Sequence, residues 1–421
     1  MGDFMEFLYS RFLLSDGVSI DTRTIEKGNL FFAINGPNFN AAQFAMQALE
    51  KGASYVVVDD VKYVTDDRII LAEDSLKALQ DLARFHRARF KRPVLGITGS
   101  NGKTTTKELI SRVLSKKFVV HTTKGNYNNH IGVPLTLLHI HPQVEIAVIE
   151  MGANHVGEIG FLSEMAAPTY GLITNIGHAH TEGFGGIEGV LRGKSELFDY
   201  LRKTEGKPLI NTDDPRLVNM VKRFADPITF PDEDVKLLDN GGFATFEMGG
   251  KKIVTNLIGS YNFSNIAAAI AVGRTFEVSD ADIREAITSY LPENARSQII
   301  KKGSATIIMD AYNANPDSMK AALRSLQKME GKKVAILGDM NELENPVEAH
   351  QEILDLARDL KIDTVLTVGE KIGRAKNGNH HFGQKSELIS FLDQQKFPES
   401  NVLLKASRSI KLETIVENIN P

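Results

Sequence analysis

The chain predicts an α/β protein of three domains: a small α/β amino-terminal domain, a central parallel-sheet domain of the P-loop, ATPase-like type, and a Rossmann-like carboxy-terminal domain. Three observations carry this. The 421 residues exceed what one core fills, at roughly 100–200 residues per domain. Short apolar runs alternate with stretches of helical period, the pattern of a mostly parallel sheet flanked by helices. The pattern also changes twice along the chain, which sets the expected bounds at 1–91, 92–298 and 299–421.

The first block mixes short apolar runs, LFFAI at 30–34 and YVVVDD at 55–60, with a helical stretch from Ala41 to Lys51. The opening MGDFMEFLYSRFLLSDG reads as a short amphipathic helix, because acidic residues precede the apolar run and no small-residue cleavage site follows. The basic segment KALQDLARFHRARFKRP runs into Pro93, which disfavours helix just before it and marks a hinge. The second block opens strand, turn, helix: PVLGIT, GSNG, KTTTKELISRVLSKK. Further apolar runs follow at 145–152, 170–177 and 208–211, and GSYNFSNIAAAIAVGRTF reads as a helix. The third block carries four strand-like runs, SATIIMDAY, KKVAILGDM, IDTVLTVGE and NVLLKAS. In such sheets ligands gather beyond the carboxyl ends of the strands. Glu150, Asn175, Asp310 and Asp339 stand at those ends.

Composition narrows the class. Lysine and arginine number 49 against 53 acids, a net charge of −4, which gives no basic surface for nucleic acid or membrane. No stretch approaches the roughly 20 apolar residues that span a bilayer. There are no cysteines, so disulfides, thiolate metal sites and cysteine nucleophiles are excluded. A cytoplasmic protein is expected.

The strongest local motif is Gly99-Ser100-Asn101-Gly102-Lys103-Thr104-Thr105 between a strand and a helix. Glycines let backbone N–H groups turn toward phosphate oxygens, and a helix N-terminus favours negative charge. Lys103 can reach the β- and γ-phosphates, and the Thr104 hydroxyl can ligate Mg²⁺. The general pattern wants glycine at 97, where Ile97 stands. Glu150 ends the strand AVIE, where a carboxylate can hold Mg²⁺ directly or through water. His178 and His180 follow the next strand and can offer an imidazole to a second cation. From spacing alone Lys194, in VLRGKSELFDYL, reads as a surface lysine on a helix. Asn262 and Asn265 either cap the helix they open or bind a base or ribose. The run from Asp310 through Tyr312, Asn313 and Asn315 to Asp317 carries more polar groups than capping needs, which favours ligand contact. Asp21-Thr22-Arg23 offers a guanidinium and a hydroxyl suited to phosphate, or forms a surface turn.

In order, these segments resemble the Mur ligases of peptidoglycan synthesis, over nearly the whole chain. DTRTIEKGNLFFAINGPNF is similar to the family's uridine-nucleotide segment, and TGSNGKTTTKE to its ATP loop, which accounts for Ile97. GNYNNHIGVPLTLL, IEMGANHVGEI and TNIGHAHTEGFG resemble its central signatures. DAYNANPDSMKAAL and ILGDMNELE resemble the branch that joins D-alanyl-D-alanine to UDP-N-acetylmuramoyl-tripeptide. The diamino-acid-adding branch carries DYAHTPD-like and DNPR-like strings, which this chain lacks.

The resemblance implies an ADP-forming amide ligase working through an acyl phosphate, with ATP and two Mg²⁺ ions. Thr98, Gly99, Ser100, Asn101, Gly102, Lys103, Thr104 and Thr105 would hold the triphosphate. Glu150 would ligate one Mg²⁺ and His180 a second. Lys194 matches a lysine carbamylated by CO₂ in several of these ligases, which reverses its reading as a plain surface residue and adds it to the metal-supporting set. Asn262, Asn265, Arg296 and Asp310 match positions at adenine, ribose or phosphate. Thr22, Arg23 and Asn40 would meet UDP. Asn126, Asn128 and Asn129 would lie near the muramoyl peptide, and Asn313, Asn315 and Asp339 near the incoming dipeptide or the nucleotide. A monomer is expected, with closure of the third domain over ATP. The chain departs from the family at 39–42, where FNAA replaces FDGH, and at His178, where HAH replaces PAH. A folylpolyglutamate synthase shares the fold and the acyl-phosphate chemistry, but lacks a module like DTR…LFFAI. A catalytically silent nucleotide-binding regulator on the same scaffold is opposed by intact Lys103, Thr104, Glu150, His180 and Lys194.

Overall fold

The structure is a computed structural model that describes residues 2–238, 242–293, 295–376 and 380–421. Four sheets organise it. The first is parallel, in the order Val18–Ser19, Leu30–Phe32, Tyr55–Val58 and Ile69–Leu71. Helices Gly2–Leu13 and Ser75–Arg87 belong to the same region and pack on each other. Asp74 starts the second helix by accepting from the Lys77 N–H, a side-chain cap for an otherwise orphaned donor.

The central sheet has six parallel strands, in the order Ile228–Phe230, Lys207–Asn211, Tyr170–Ile173, Val94–Thr98, Ile146–Glu150 and Val120–Thr122. Its middle strands Val94–Thr98 and Ile146–Glu150 are buried at every residue. That explains why they read as unbroken apolar runs: helices cover both faces. Neighbouring strands that both reach carboxyl ends at one edge place Thr98, Glu150 and Ile173 side by side, and the site gathers there.

A three-stranded antiparallel sheet, Val235–Leu238, Phe243–Met248 and Lys251–Ile258, leads into helix Phe263–Thr275. The mostly parallel sheet expected from the sequence leaves this antiparallel unit out. The missed signal is local: Phe243–Met248 and Lys251–Ile258 flank Gly249-Gly250, both at positive φ, the signature of a tight hairpin.

The last sheet runs Gln298–Lys302, Ala305–Met309, Ser400–Lys405, Lys332–Gly338, Thr364–Val368 and His380–Phe382. All pairs are parallel except the first, a hairpin. The edge strands Gln298–Lys302 and His380–Phe382 add to the four runs expected from sequence. Helix Pro316–Gln327 follows Ala305–Met309 and opens with a capping box from Asn315, with Pro316 in its first turn. Among the described residues no helix is long and apolar enough to cross a membrane.

Candidate active site

The turn after Val94–Thr98 is shaped by two glycines. Gly99 has φ +142°, and a Cβ there would lie 2.0 Å from Thr174 Oγ1. Gly102 has φ +78°, and a Cβ would lie 2.4 Å from Asn265 Oδ1. Side chains at either position would be strained in backbone and crowded in space. Between them Ser100 and Asn101 are held against the neighbouring strand end: the Ser100 N–H donates to Asn175 O, and the Asn101 N–H to Asn175 Oδ1 at 3.0 Å. Helix Lys103–Leu114 starts directly after, so its free N–H groups face the turn. Lys103 Nζ donates to Gly99 O at 2.7 Å and Ser100 O at 3.2 Å. Burial holds this amine below the usual lysine range, with Arg296 adding to the effect and Glu150 opposing it.

Thr104 Oγ1 donates to Glu150 Oε1 at 3.2 Å, and Asn128 Nδ2 donates to the same oxygen at 2.8 Å. Thr123 Oγ1 accepts from the Glu150 N–H at 2.9 Å. The other carboxylate oxygen, Oε2, is buried without a hydrogen bond, and its nearest cation is Lys107 Nζ at 4.0 Å. A buried carboxylate oxygen left over beside a threonine hydroxyl is a donor set that suits Mg²⁺. Among the described residues no three histidines or acids cluster as a complete cage. Such an arrangement matches an ion that takes its remaining oxygens from phosphate and water.

His180 adopts φ +55° and its Nδ1 faces the Glu342 carboxylate of the carboxy-terminal block. This contact holds the Glu342 acid below its ordinary range. Lys194 lies on helix Ile187–Thr204 and is only 1% exposed, which corrects the surface reading that spacing alone gives. Its Nζ donates to Ala153 O at 3.0 Å and stands 4.9 Å from the Phe184 ring centroid. Burial drives its pKa well down; Lys103 adds to this, while Glu158 and Glu196 oppose it.

A cavity of about 1160 Å³ opens between the central and carboxy-terminal blocks. It is lined by Ser100 to Thr105, Asn126, Asn128, Asn129, Glu150, His178 and His180 on one side. Asn262, Asn265, Arg296, Asp310, Asn313 and Asn315 also reach it. Asn262 and Asn265 do not cap helix Phe263–Thr275 with their side chains. Instead Asn265 Nδ2 donates to Asn262 Oδ1, Asn262 Nδ2 to Ile258 O, and Asn265 Oδ1 accepts from Thr106 Oγ1. This buried chain pins that helix to Lys103–Leu114. Asp310 accepts from the Ser297 N–H and pairs with Lys405 Nζ at 2.5 Å. The Arg296 guanidinium lies 3.5 Å from the Tyr312 ring centroid.

Not every expected residue reaches the cavity. Thr98 is buried in its strand, and Gly99 does not line the cavity. Lys194 stands behind Ala153, which does line it. Asp339 is turned into its own block, where Oδ1 accepts from the Ile372 N–H at 2.8 Å and its backbone oxygen from the Ser407 N–H. Its carboxylate is thus spent on holding a turn. Thr22, Arg23 and Asn40 sit in the first block, apart from the cavity. There Arg23, 85% exposed, pairs with Asp21 and closes the surface turn, and Asn40 Nδ2 donates to Tyr63 OH. Lys107, Lys405 and Glu342, which face Glu150, Asp310 and His180, were not expected from the sequence. Lys107 and Glu342 lie inside the quoted strings TGSNGKTTTKE and ILGDMNELE, but their partners come from distant segments.

Comparison with known proteins agrees with this geometry. The family model for the Mur ligase middle domain matches residues 97–273, that for the Mur ligase glutamate ligase domain 295–408, and that for the Mur ligase family catalytic domain 15–87. The UDP-N-acetylmuramoyl-tripeptide–D-alanyl-D-alanine ligase of Bacillus subtilis is 36% identical, covering 96% of this chain and 93% of its own length. The crystal structure of MurF from Acinetobacter baumannii superposes with a TM-score of 0.85 at 29% identity, covering 96% of this chain and 92% of its own. MurF ligase from Thermotoga maritima, in complex with ADP, gives a TM-score of 0.85 at 29% identity and covers 97% of both chains.

Proposed function

The chain belongs to the Mur ligase family, and from that premise we propose that it joins D-alanyl-D-alanine to UDP-N-acetylmuramoyl-tripeptide, forming ADP and phosphate. The observation that carries this is the meeting of the 99–104 turn with Glu150, through the Thr104 hydroxyl, in a cavity closed by the carboxy-terminal block. A carboxylate acylates poorly because its leaving group is oxide. Attack by the tripeptide carboxylate on the γ-phosphorus of ATP breaks the bond to ADP and gives an acyl phosphate. The dipeptide amine then attacks the acyl carbon, the bond to phosphate breaks, and the amine proton leaves.

The protein's part is positioning and charge neutralisation. Lys103, now folded onto Gly99 and Ser100, swings to the β- and γ-phosphates, whose charge offsets the burial that depresses its amine. Gly102 and the first turn of helix Lys103–Leu114 present N–H groups, and Thr104 with Glu150 would hold Mg²⁺. Bound there, Mg²⁺ supplies charge neutralisation between carboxylate and triphosphate. His180, which faces Glu342 in this structure, would hold a second ion. Lys194 suits carbamylation: its amine is held toward the neutral form that attacks CO₂, and the resulting carbamate places an anion near Lys103. Asn126, Asn128 and Asn129 receive the muramoyl peptide, and Asn262, Asn265, Arg296 and Asp310 the nucleoside end of ATP. Thr22, Arg23 and Asn40 receive UDP. We place the reaction in the cytoplasm, carried out by a monomer.

Mass spectrometry of the product from purified protein, ATP, Mg²⁺, UDP-tripeptide and D-alanyl-D-alanine tests the proposal. The expected product is the UDP-linked pentapeptide. ADP release with folate and glutamate, and none with these substrates, would overturn it.

A further inference from the structure

Three residues of the central block meet the first turn of helix Pro316–Gln327, and none of these contacts is needed to hold a phosphate. Asn101 sits in the ATP loop. Its N–H is taken by Asn175 Oδ1, and its carbonyl accepts from Thr174 Oγ1 at 2.6 Å and Asn175 Nδ2 at 3.0 Å. Its side-chain Oδ1 accepts from Asn315 Nδ2 at 2.7 Å. Asn315 is at the same time the cap of its helix, with Oδ1 accepting from the Ser318 N–H. Two residues on, Asp317 Oδ2 accepts from the His178 N–H at 2.7 Å and lies 3.1 Å from His178 Nδ1. Gly177 completes the seat. A Cβ there would stand 2.6 Å from Asp317 Oδ2, so the approach of Asp317 requires the missing side chain.

We propose that Asn101, Gly177 and His178 form a docking seat for residues 315–317, and that Asn101 is a positioning residue which registers the carboxy-terminal block on the ATP loop. This rests on the acyl-phosphate reading above, and refines the sequence expectation that Asn101 and Asn315 are plain ligand contacts. The two side-chain amides face each other across the block boundary and share one hydrogen bond. The seat lies at the cavity rim, since Asn101, Gly177, His178, Asn315 and Asp317 all line it. Docking therefore closes the cavity at the loop that holds ATP. An unsealed acyl phosphate reacts with water: the water oxygen attacks the acyl carbon, the bond to phosphate breaks, and carboxylate and inorganic phosphate result. ATP is then consumed without amide formation.

The test measures ADP and amide together in the full-length protein with ATP, Mg²⁺, UDP-tripeptide and D-alanyl-D-alanine. The variants are Asn101→Ala, Asn315→Ser, their double variant, and Gly177→Ala. Asn315→Ser keeps a good helix cap and removes the amide that reaches Asn101. Wild type is expected to release one ADP per amide. Each variant is expected to release a surplus that depends on UDP-tripeptide, on the order of fivefold for one lost hydrogen bond. The double variant is expected to match the worse single variant, because the two residues share one contact. One ADP per amide at a reduced rate, or additive defects, would overturn the seat. If wild type made no amide at all, the proposed function would fail by itself. Small-angle scattering with ATP present would then judge the seat alone: a larger radius of gyration in the variants supports it, and an unchanged one overturns it.

Discussion

Helices Ser75–Arg87 and Pro316–Gln327 each join a flanking block to the central one, but through different chemistry. On the amino-terminal side, one apolar core runs without a break from Leu8, Phe12, Leu30 and Val57 through Leu79 and Leu82 to Val133, Leu135 and Met165. Arg87, 7% exposed, crosses the same boundary and donates to Ala166 O, Ala167 O and Phe90 O. On the carboxy-terminal side the cores are separate: apart from Ile258, the two carboxy-terminal clusters contain only residues from 295 onward. Beside Ile258, polar contacts cross that boundary, Asn101 with Asn315, His178 with Asp317 and His180 with Glu342. The chain enters this block through Ala295 and Ser297, both at φ +56°. Continuous apolar burial cannot be broken cheaply, whereas polar groups at a wet boundary exchange partners with water. The amino-terminal block thus shares its core with the central one and the carboxy-terminal block does not, which favours our proposal that the latter is the one that moves.

Four results would sharpen or break this contrast. The largest effect belongs to the wall on which the moving block closes. Lys103→Ala is expected to lower ligation about 1,000-fold or more, since it removes the cation meant for the transferring phosphoryl group. An assay of amide formation within tenfold of wild type would contradict that role.

Leu82→Ala, in the shared core, is expected to cost about 2–5 kcal/mol. The loss should appear in the transition that unfolds the amino-terminal and central blocks together, with the carboxy-terminal transition unmoved. Separate melting of the first two blocks in calorimetry would break the comparison.

Lys194→Ala is expected to lower ligation about 10- to 100-fold, a range set by loss of a supporting group and not of the phosphate cation. Added acetate should restore part of it, and full activity without acetate would remove the carbamate role. The amine also sets a pH dependence. Its folded pKa lies below its unfolded value, so the folded state binds fewer protons between the two, and stability rises with pH across that window. Lys194→Met should flatten this slope in denaturant titrations and gain most at the low-pH end. An unchanged slope would show that the buried amine does not set it.

The smallest effect is Asp317→Asn. Its partner His178 is half-exposed, so equilibrium stability should change by less than about 1 kcal/mol. A loss as large as that of Leu82→Ala would mean that the two junctions are not different in kind.

The contrast also explains what the sequence made legible. The 99–105 turn could be read directly, because its demands on glycine at 99 and 102 are local and its strand and helix flank it. Glu150 followed from the end of an apolar run. The fate of Lys194 could not be read from helical spacing, because what buries it, Ala153 and Phe184, lies outside the helix. The two asparagines 262 and 265 were visible as polar residues at a helix start, yet their partners Thr106 and Ile258 come from other elements. Asp339 looked like a strand-end ligand and instead holds the turn at Ile372. Residues whose task is set by neighbours in sequence were legible, and those whose partners come from other elements were not.

Phosphorylation of the tripeptide carboxylate before its amination would leave an isotopic trace. UDP-tripeptide carrying ¹⁸O in its terminal carboxylate, turned over with ATP and D-alanyl-D-alanine, is expected to yield one ¹⁸O in the inorganic phosphate for each amide formed. Unlabelled phosphate alongside amide formation would contradict that order.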